Sequence, residues 1–234
     1  MGQYLVVGGA SGIGSAACDH IERQGGTVIV MDVRRPERGG RRYIPVDVAD
    51  PTSVRSAMDQ IGGPLDGWLH TAGISLSSSI EEMADEDIAR QVAVNLTGMC
   101  YTAKYVSPHL GDGAACVLVA SELAMVGTTR GGIVYSATKG GVVALARSLA
   151  VSWRGRRIRV NALCPGATRT PMIEHSWNSQ EDADRAERED AAGAVLNRVA
   201  EADEMARAAW FLLSNESSFV DGHALVADGG AIIW

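Results

Sequence analysis

An excess of positive charge, a pairing pattern of cysteines and a long apolar run are all missing from this sequence, and each absence removes a class of function. The net charge of −7 leaves no basic field for nucleic acid or for an anionic membrane surface. The four cysteines, Cys18, Cys100, Cys116 and Cys164, are widely spaced, with neither a CxxC pair nor a His/Cys cluster. They read as reduced core thiols of a cytoplasmic protein, and a metal site or disulfide is not expected. No apolar run approaches the roughly 18 residues that cross a bilayer, and the chain opens on a strand-like run at 4–7 without the basic n-region of a secretory signal. Internal repeats and low-complexity segments are also lacking. What is left, 234 residues at 46% hydrophobic and 21% charged, suits one large α/β domain. The one compositional shift, at 176–189, reads as an exposed polar insertion within it.

Taken in order, Leu5-Val6-Val7 is a short apolar run ending in Gly8-Gly9-Ala10-Ser11-Gly12-Ile13-Gly14, after which a helical pattern runs to about Gln24. Strand, glycine turn and helix together let a backbone approach a pyrophosphate, with the helix amides and dipole facing the anion. The spacing is G-x-x-x-G-x-G, and a tight structural turn explains it as readily when it stands alone. The second strand, 27–31, ends at Asp32, 18 positions after Gly14, where an acidic residue meets the adenosine ribose hydroxyls and repels a 2′-phosphate. That favours NAD over NADP, although Arg34 and Arg35 can attract the phosphate. The segment 33–42 is too short for a full crossover helix. Asp47-Val48 closes a third strand, Asp47 being either an adenine contact or a turn and capping residue.

A fourth strand, 65–70, leads to Thr71-Ala72-Gly73. A long helical pattern at 88–109 carries Asn95 among apolar neighbours, where a buried amide needs partners. The apolar run 114–120 reads as a central parallel strand, with Ser121 at its carboxyl end, where ligands of such sheets sit. Fourteen residues on come Tyr135 and Lys139, at the start of a helical pattern from about Ser136 to Trp153, where they share one face. An ammonium beside a tyrosine stabilises the phenolate, so the pair can act as general base and tuning cation. The same helix is apolar on nearly every side (Val142, Val143, Leu145, Ala146, Leu149, Val151), and a helix apolar all round is buried all round. One face belongs on the sheet and the other on a subunit partner, which predicts a homo-oligomer, a dimer or tetramer. A sixth strand, 158–163, runs into Cys164-Pro165-Gly166-Ala167-Thr168-Arg169-Thr170-Pro171. A polar segment at about 172–194, read as a substrate lid, a final helix at 202–213 and a seventh strand at 224–226 complete a Rossmann-type doubly wound parallel sheet of about seven strands in a single domain.

With these pieces in one order the chain resembles a short-chain dehydrogenase/reductase, a compact NAD-type member, over nearly its whole length. The resemblance rests on Gly8-x-x-x-Gly12-Ile13-Gly14, Asp32, Asp47-Val48, Ala72-Gly73, Asn95, Ser121, Tyr135-x-x-x-Lys139, Asn161, Pro165-Gly166 and Thr170-Pro171. It implies a catalytic set of Asn95, Ser121, Tyr135 and Lys139. It also implies a cofactor site formed by Gly8, Ser11, Gly12, Ile13, Gly14, Asp32, Asp47, Val48, Ala72, Gly73, Tyr135, Lys139, Pro165, Gly166, Thr168 and Thr170, with no metal. The implied reaction is hydride transfer between NAD and a secondary alcohol or ketone. In it Tyr135 takes the hydroxyl proton, Lys139 steadies the phenolate and the nicotinamide ribose, Ser121 binds the substrate oxygen and Asn95 holds a water. The pattern departs at Val7, at His70-Thr71 and in a Ser121-to-Tyr135 loop one residue longer than is common. Leu123, Ala124, Met125, Met172, Ile173, His175 and Trp177 suggest a neutral, apolar or cyclic substrate. Two rival readings are an NADPH-dependent ketoreductase of 3-oxoacyl thioesters and a non-enzymatic nucleotide sensor.

Overall fold

The computed structural model describes residues 2–128, 132–174 and 179–233. The strands are β1 (Gln3–Val7), β2 (Thr27–Asp32), β3 (Arg42–Pro45), β4 (Leu65–His70), β5 (Leu110–Val119), β6 (Arg159–Pro165), β7 (Thr168–Arg169), β8 (Ala200–Glu201) and β9 (Ala224–Ala227). Seven of them form one parallel sheet in the order β3-β2-β1-β4-β5-β6-β9, and β7 pairs separately with β8. Chain order reverses between β1 and β4, so their carboxyl ends diverge into the crevice where doubly wound sheets bind ligands. The expected architecture is present.

The helices are α1 (Gly12–Arg23), α2 (Pro51–Met58), α3 (Asp85–Val92), α4 (Gly98–Val106), α5 (Ile133–Trp153), α6 (Pro171–Glu174), α7 (Gln180–Gly193) and α8 (Ala202–Leu213). One face of the sheet carries Val6, Val30, Leu69, Val117 and Leu163 against Cys18, Ile21, Ala209 and Leu212 of α1 and α8. The other carries Leu5, Trp68, Cys116 and Leu118 against Met58, Met99, Val142 and Ala146 of α2, α4 and α5. A parallel strand covered on both faces must be apolar throughout, which is why residues 114–119 of β5 are buried without alternation. Caps are local: Asp50 accepts from the Thr52 amide to start α2 with Pro51 in its first turn, and Glu201 and Glu204 form a capping box on α8.

Two stretches differ from the sequence expectation. The helical pattern at 88–109 is three elements, because a π-helical turn at Ala93–Thr97 separates α3 from α4 and a 3₁₀ turn follows at Ser107–His109. Such turns recur at functional sites, and this one carries Asn95. α5 begins at Ile133, ahead of the expected Ser136, after Gly132 at φ 76°, a left-handed conformation suited to glycine.

Candidate active site

The glycine turn is built by contact. Gly8, at φ 84°, and Gly14 lie so close to the β4 exit that an added Cβ would sit 2.4 Å from the Ala72 amide and 2.1 Å from the Gly8 carbonyl, respectively. Thr71 completes the joint, its hydroxyl lying 3.0 Å from the Val7 carbonyl and 2.9 Å from that of Gly8. The threonine at a departure from the family pattern thus ties β1 to β4. Gly12, at φ 52°, faces the other way, and a Cβ there would meet Thr170 at 3.3 Å. Thr170 and the glycine turn therefore border the same space. Ser11 and Ile13 are half-buried beside it.

At the end of β2 the Asp32 carboxylate accepts from the Ala10 and Arg34 amides, each at 3.0 Å. The Arg34 guanidinium reaches across to the Ser11 hydroxyl at 3.2 Å, while Arg35 stacks on Tyr43 with 5.3 Å to the ring centre. Asp47 is exposed and closes a turn by accepting from Ala49 at 2.9 Å. Val48 is buried, and its carbonyl would be 2.8 Å from a Cβ on Gly98, so α4 bears directly on this corner.

Around Gly73 the remaining elements meet: a Cβ there would be 3.3 Å from Asn95 Oδ1 and 3.4 Å from Lys139 Nζ. Asn95 is fully buried. Its side chain accepts from the Ile74 amide at 2.8 Å and donates to the Ile74 carbonyl at 2.9 Å and to Thr138 Oγ1 at 3.2 Å. Thr138 passes this on to the Tyr135 carbonyl at 2.7 Å. Lys139 is 3% exposed and donates to the Val119 carbonyl at 2.9 Å, with Nζ 5.5 Å from the Tyr135 ring centre. Burial pushes its pKa down to about 8.

Tyr135 is half-buried as a residue, yet the protein packed about its hydroxyl raises its pKa to about 12; the Glu122 carboxylate adds to that rise, and a hydrogen bond with the Ser121 side chain opposes it. Desolvation thus outweighs the Ser121 hydrogen bond in setting the phenol's acidity. Ser121 is buried and caps the following turn, accepting from the Leu123 amide at 3.2 Å.

The loop after β6 closes the site. Thr168 is buried and donates to the Gly166 carbonyl at 2.9 Å. Arg169 holds α7 by a fork to Glu187 at 2.9 and 2.6 Å and also pairs with Glu201 at 3.1 Å. A cleft of about 590 Å³ between α7 and β7–β8 is lined by these paired charges and contains none of Asn95, Ser121, Tyr135 and Lys139. Of the substrate-facing candidates, Leu123 and Ala124 are half-buried and Met125 and Met172 exposed, while His175 and Trp177 lie outside the described residues. Among the described residues no group of three or more His, Cys, Asp or Glu can hold a metal ion, and no helix is long and apolar enough to cross a membrane.

Sequence reasoning passed over Glu122, Thr138 and Asp228. Glu122 carries one signal in the sequence, its adjacency to Ser121. Asp228 caps the tail by accepting from the Gly230 and Ile232 amides at 2.8 and 3.0 Å.

Residues 8–231 match the family model described as enoyl-(acyl carrier protein) reductase. The chain is 29% identical to a meso-2,3-butanediol dehydrogenase of Serratia marcescens, over 97% of this chain and 93% of that one. It is 32% identical to a D-threitol dehydrogenase of Mycolicibacterium smegmatis, over 98% and 92%. A crystal structure of a short-chain dehydrogenase family protein from Francisella tularensis superposes with a TM-score of 0.94 over the whole of both chains, at 28% identity.

Proposed function

The chain belongs to the short-chain dehydrogenase/reductase family of oxidoreductases, and from that premise we propose that it interconverts a small neutral secondary alcohol and its ketone with NAD. The observation that carries this reading is the meeting of four side chains at the carboxyl ends of β4 and β5: Ser121 hydrogen-bonded to Tyr135, Lys139 beneath the same ring, and Asn95 fixing the Ile74 segment between them.

The cradle fits a dinucleotide. Gly12 leaves open backbone at the start of α1, Asp32 presents a carboxylate at the end of β2, and Thr170 overhangs the glycine turn. Gly8, Ser11, Gly12, Ile13 and Gly14 would hold the pyrophosphate, Asp32 the adenosine ribose, Asp47 and Val48 the adenine edge, and Ala72 and Gly73 the middle of the molecule. Lys139 with Tyr135 would hold the nicotinamide ribose, and Pro165, Gly166, Thr168 and Thr170 the carboxamide end. When bound, NAD supplies the hydride acceptor.

In the oxidative direction the substrate hydroxyl lies between Ser121 and Tyr135. Its proton goes to the Tyr135 oxygen, the carbinol C–H electrons leave as hydride, and the carbonyl forms. Ser121 donates to the oxygen on which negative charge develops in the reverse reaction. Lys139, cationic below about pH 8, favours the phenolate that must form. The Asn95 side chain is committed to Ile74 and Thr138, so its proposed part is to position this group.

The names of the butanediol and threitol dehydrogenases support a small neutral substrate. A second reading, use of NADP, is favoured by Arg34, just past the end of β2, whose guanidinium donates to the Ser11 hydroxyl in the glycine turn. Exposed Ala137, Ala144 and Val151 on the outer side of α5 support a homo-oligomer. The test is a panel of small secondary alcohols read at 340 nm with each cofactor. NAD is expected to give the higher kcat/KM, and Tyr135→Phe to cut turnover at least about 10³-fold with NAD affinity nearly unchanged. Turnover near wild type in that variant would remove Tyr135 from the chemistry.

A further inference from the structure

One buried hydroxyl joins elements that the reaction scheme above treats separately. Thr138, 1% exposed in the first turns of α5, makes two hydrogen bonds through a single oxygen. It donates to the Tyr135 carbonyl at 2.7 Å and accepts from Asn95 Nδ2 at 3.2 Å, across 43 positions of sequence. The first bond is what a helical threonine ordinarily makes to the preceding turn. The second is not, because it leaves the helix for the π turn Ala93–Thr97. A hydroxyl has one proton to give. With that proton on the Tyr135 carbonyl, the bond to Asn95 runs only from amide to hydroxyl. The other Asn95 donor goes to the Ile74 carbonyl, and its oxygen accepts from the Ile74 amide. Every bond in the joint therefore has a fixed direction.

The two sides of this joint are otherwise held independently. On one side Gln91, fully buried and four positions before Asn95, accepts from the Leu76 amide at 2.6 Å. The segment after β4 is thus gripped at residues 74 and 76 without help from Thr138. Gly73 precedes it, and a Cβ there would be 3.4 Å from Lys139 Nζ, so this segment borders the reacting pair. On the other side Val142, Val143, Ala146 and Ala150 hold the body of α5 to the sheet. Thr138 is what ties the first turns of α5, with Tyr135 and Lys139, to the segment at 74–76. We propose that Thr138 is a positioning residue for hydride transfer, its hydroxyl setting the Tyr135–Lys139 turn against the segment that Asn95 holds. It acts through Tyr135 and Asn95, and the proposal rests on the reading of Tyr135 and Lys139 as the reacting pair. A displacement of about 1 Å in the reacting geometry costs up to about 100-fold in rate, while contacts that only bind the ligands are less sensitive to it. Loss of the joint should therefore appear in kcat ahead of KM.

The experiment measures kcat and KM for the best alcohol of the panel above, NAD affinity by titration, and melting temperature, in the wild-type enzyme, Thr138→Val and Thr138→Ser. Kinetics are read well below the melting temperature of each protein. Valine keeps the branched shape and loses the hydroxyl, whereas serine keeps the hydroxyl. Thr138→Val should lower kcat by about 10- to 100-fold, with KM and the Kd of NAD within about threefold of wild type. Thr138→Ser should recover most of that loss. A purely structural threonine gives the opposite split, a lower melting temperature with full kcat per folded molecule, and that result overturns the proposal. Equal losses in the valine and serine variants would place the effect in the methyl group and overturn it as well. If Thr138→Val does not fold, Thr138→Ala is read in the same way. If neither folds while Thr138→Ser does, the hydroxyl serves folding and the proposal falls. Each of these failures leaves the dehydrogenase reading intact. A wild-type protein that oxidises no alcohol of the panel overturns that reading and this one with it.

Discussion

At the end of β4 the His70 imidazole is 0% exposed, and neither ring nitrogen has a hydrogen-bond partner among the described residues. Its company is the edge of Trp68, with ring centres 5.8 Å apart at 82°, and the charge of Lys139 nearby. Burial pushes its pKa down to about 3, and the Lys139 ammonium pushes the same way. An unfolded chain would bind a proton at His70 below about pH 6.5, whereas the folded chain refuses it until about pH 3. Over that window the unfolded state holds more protons, so stability falls as pH falls, by on the order of 4 kcal/mol if His70 alone is counted. Above pH 6.5 both states leave the imidazole neutral and this loss is absent. His70→Leu removes it and also removes two buried nitrogens without partners. Urea midpoints should therefore fall less between pH 7 and pH 5 in the variant than in wild type. Equal falls in the two proteins would mean that this imidazole is hydrated or partnered in solution.

Among the elements, the segment between β2 and β3 shows best how the compact chain is held. No helix covers residues 33–41; Arg41 binds the segment to α1 instead. Its guanidinium, 3% exposed, makes a fork of two 2.8 Å hydrogen bonds to Glu22 and also pairs with Asp19, which Arg38 joins. The partners are about a third exposed, so the pairing is worth less than a fully buried one. Arg41→Ala should cost about 1–3 kcal/mol and, because Arg34 hangs from the same segment, weaken NAD binding more than it slows bound turnover. Thermal unfolding and cofactor titration would check both halves; unchanged NAD affinity would make Arg41 a purely structural clamp. Reading the sequence alone shows that no crossover helix fits here, since Pro36 and paired glycines leave too few helical residues. It cannot show Arg41 as the substitute, because a surface arginine and a buried one look alike without the fold. The same limit applies to α3 and α4. Their apolar spacing survives the π turn, so periodicity reads one helix where Asn95 needs two. The strand ends and their small-residue turns were legible because glycine and alanine there answer to close approach. Glu122 was not, since its proximity to Gly166 joins residues 44 positions apart.

For the whole molecule, α5 joins the chemistry to the surface. Its first turns carry Tyr135 and Lys139, and its sheet side buries Val142, Val143, Ala146 and Ala150. Its outer side presents Ala137, Ala144, Arg147, Ser148 and Val151, the last 61% exposed, with Leu145, Leu149 and Trp153 half-buried at the margin. Apart from Arg147 this surface is small or apolar, which lets two helices approach closely and removes apolar area from water when they do. A second copy of the same face is the partner we propose, since it supplies matching chemistry at equal concentration and a two-fold arrangement satisfies both copies at once. Val151→Glu would place a charge on that contact, near the C-terminal end of α5, and should weaken association by about 10- to 100-fold through its desolvation. Light scattering after size exclusion should give a multiple of the chain mass for wild type and a smaller species for the variant. Because the far end of the same helix positions Tyr135, the dissociated variant should also melt at lower temperature and lose turnover on dilution. A wild-type protein that runs as a single chain would instead assign the apolar face of α5 to a different partner.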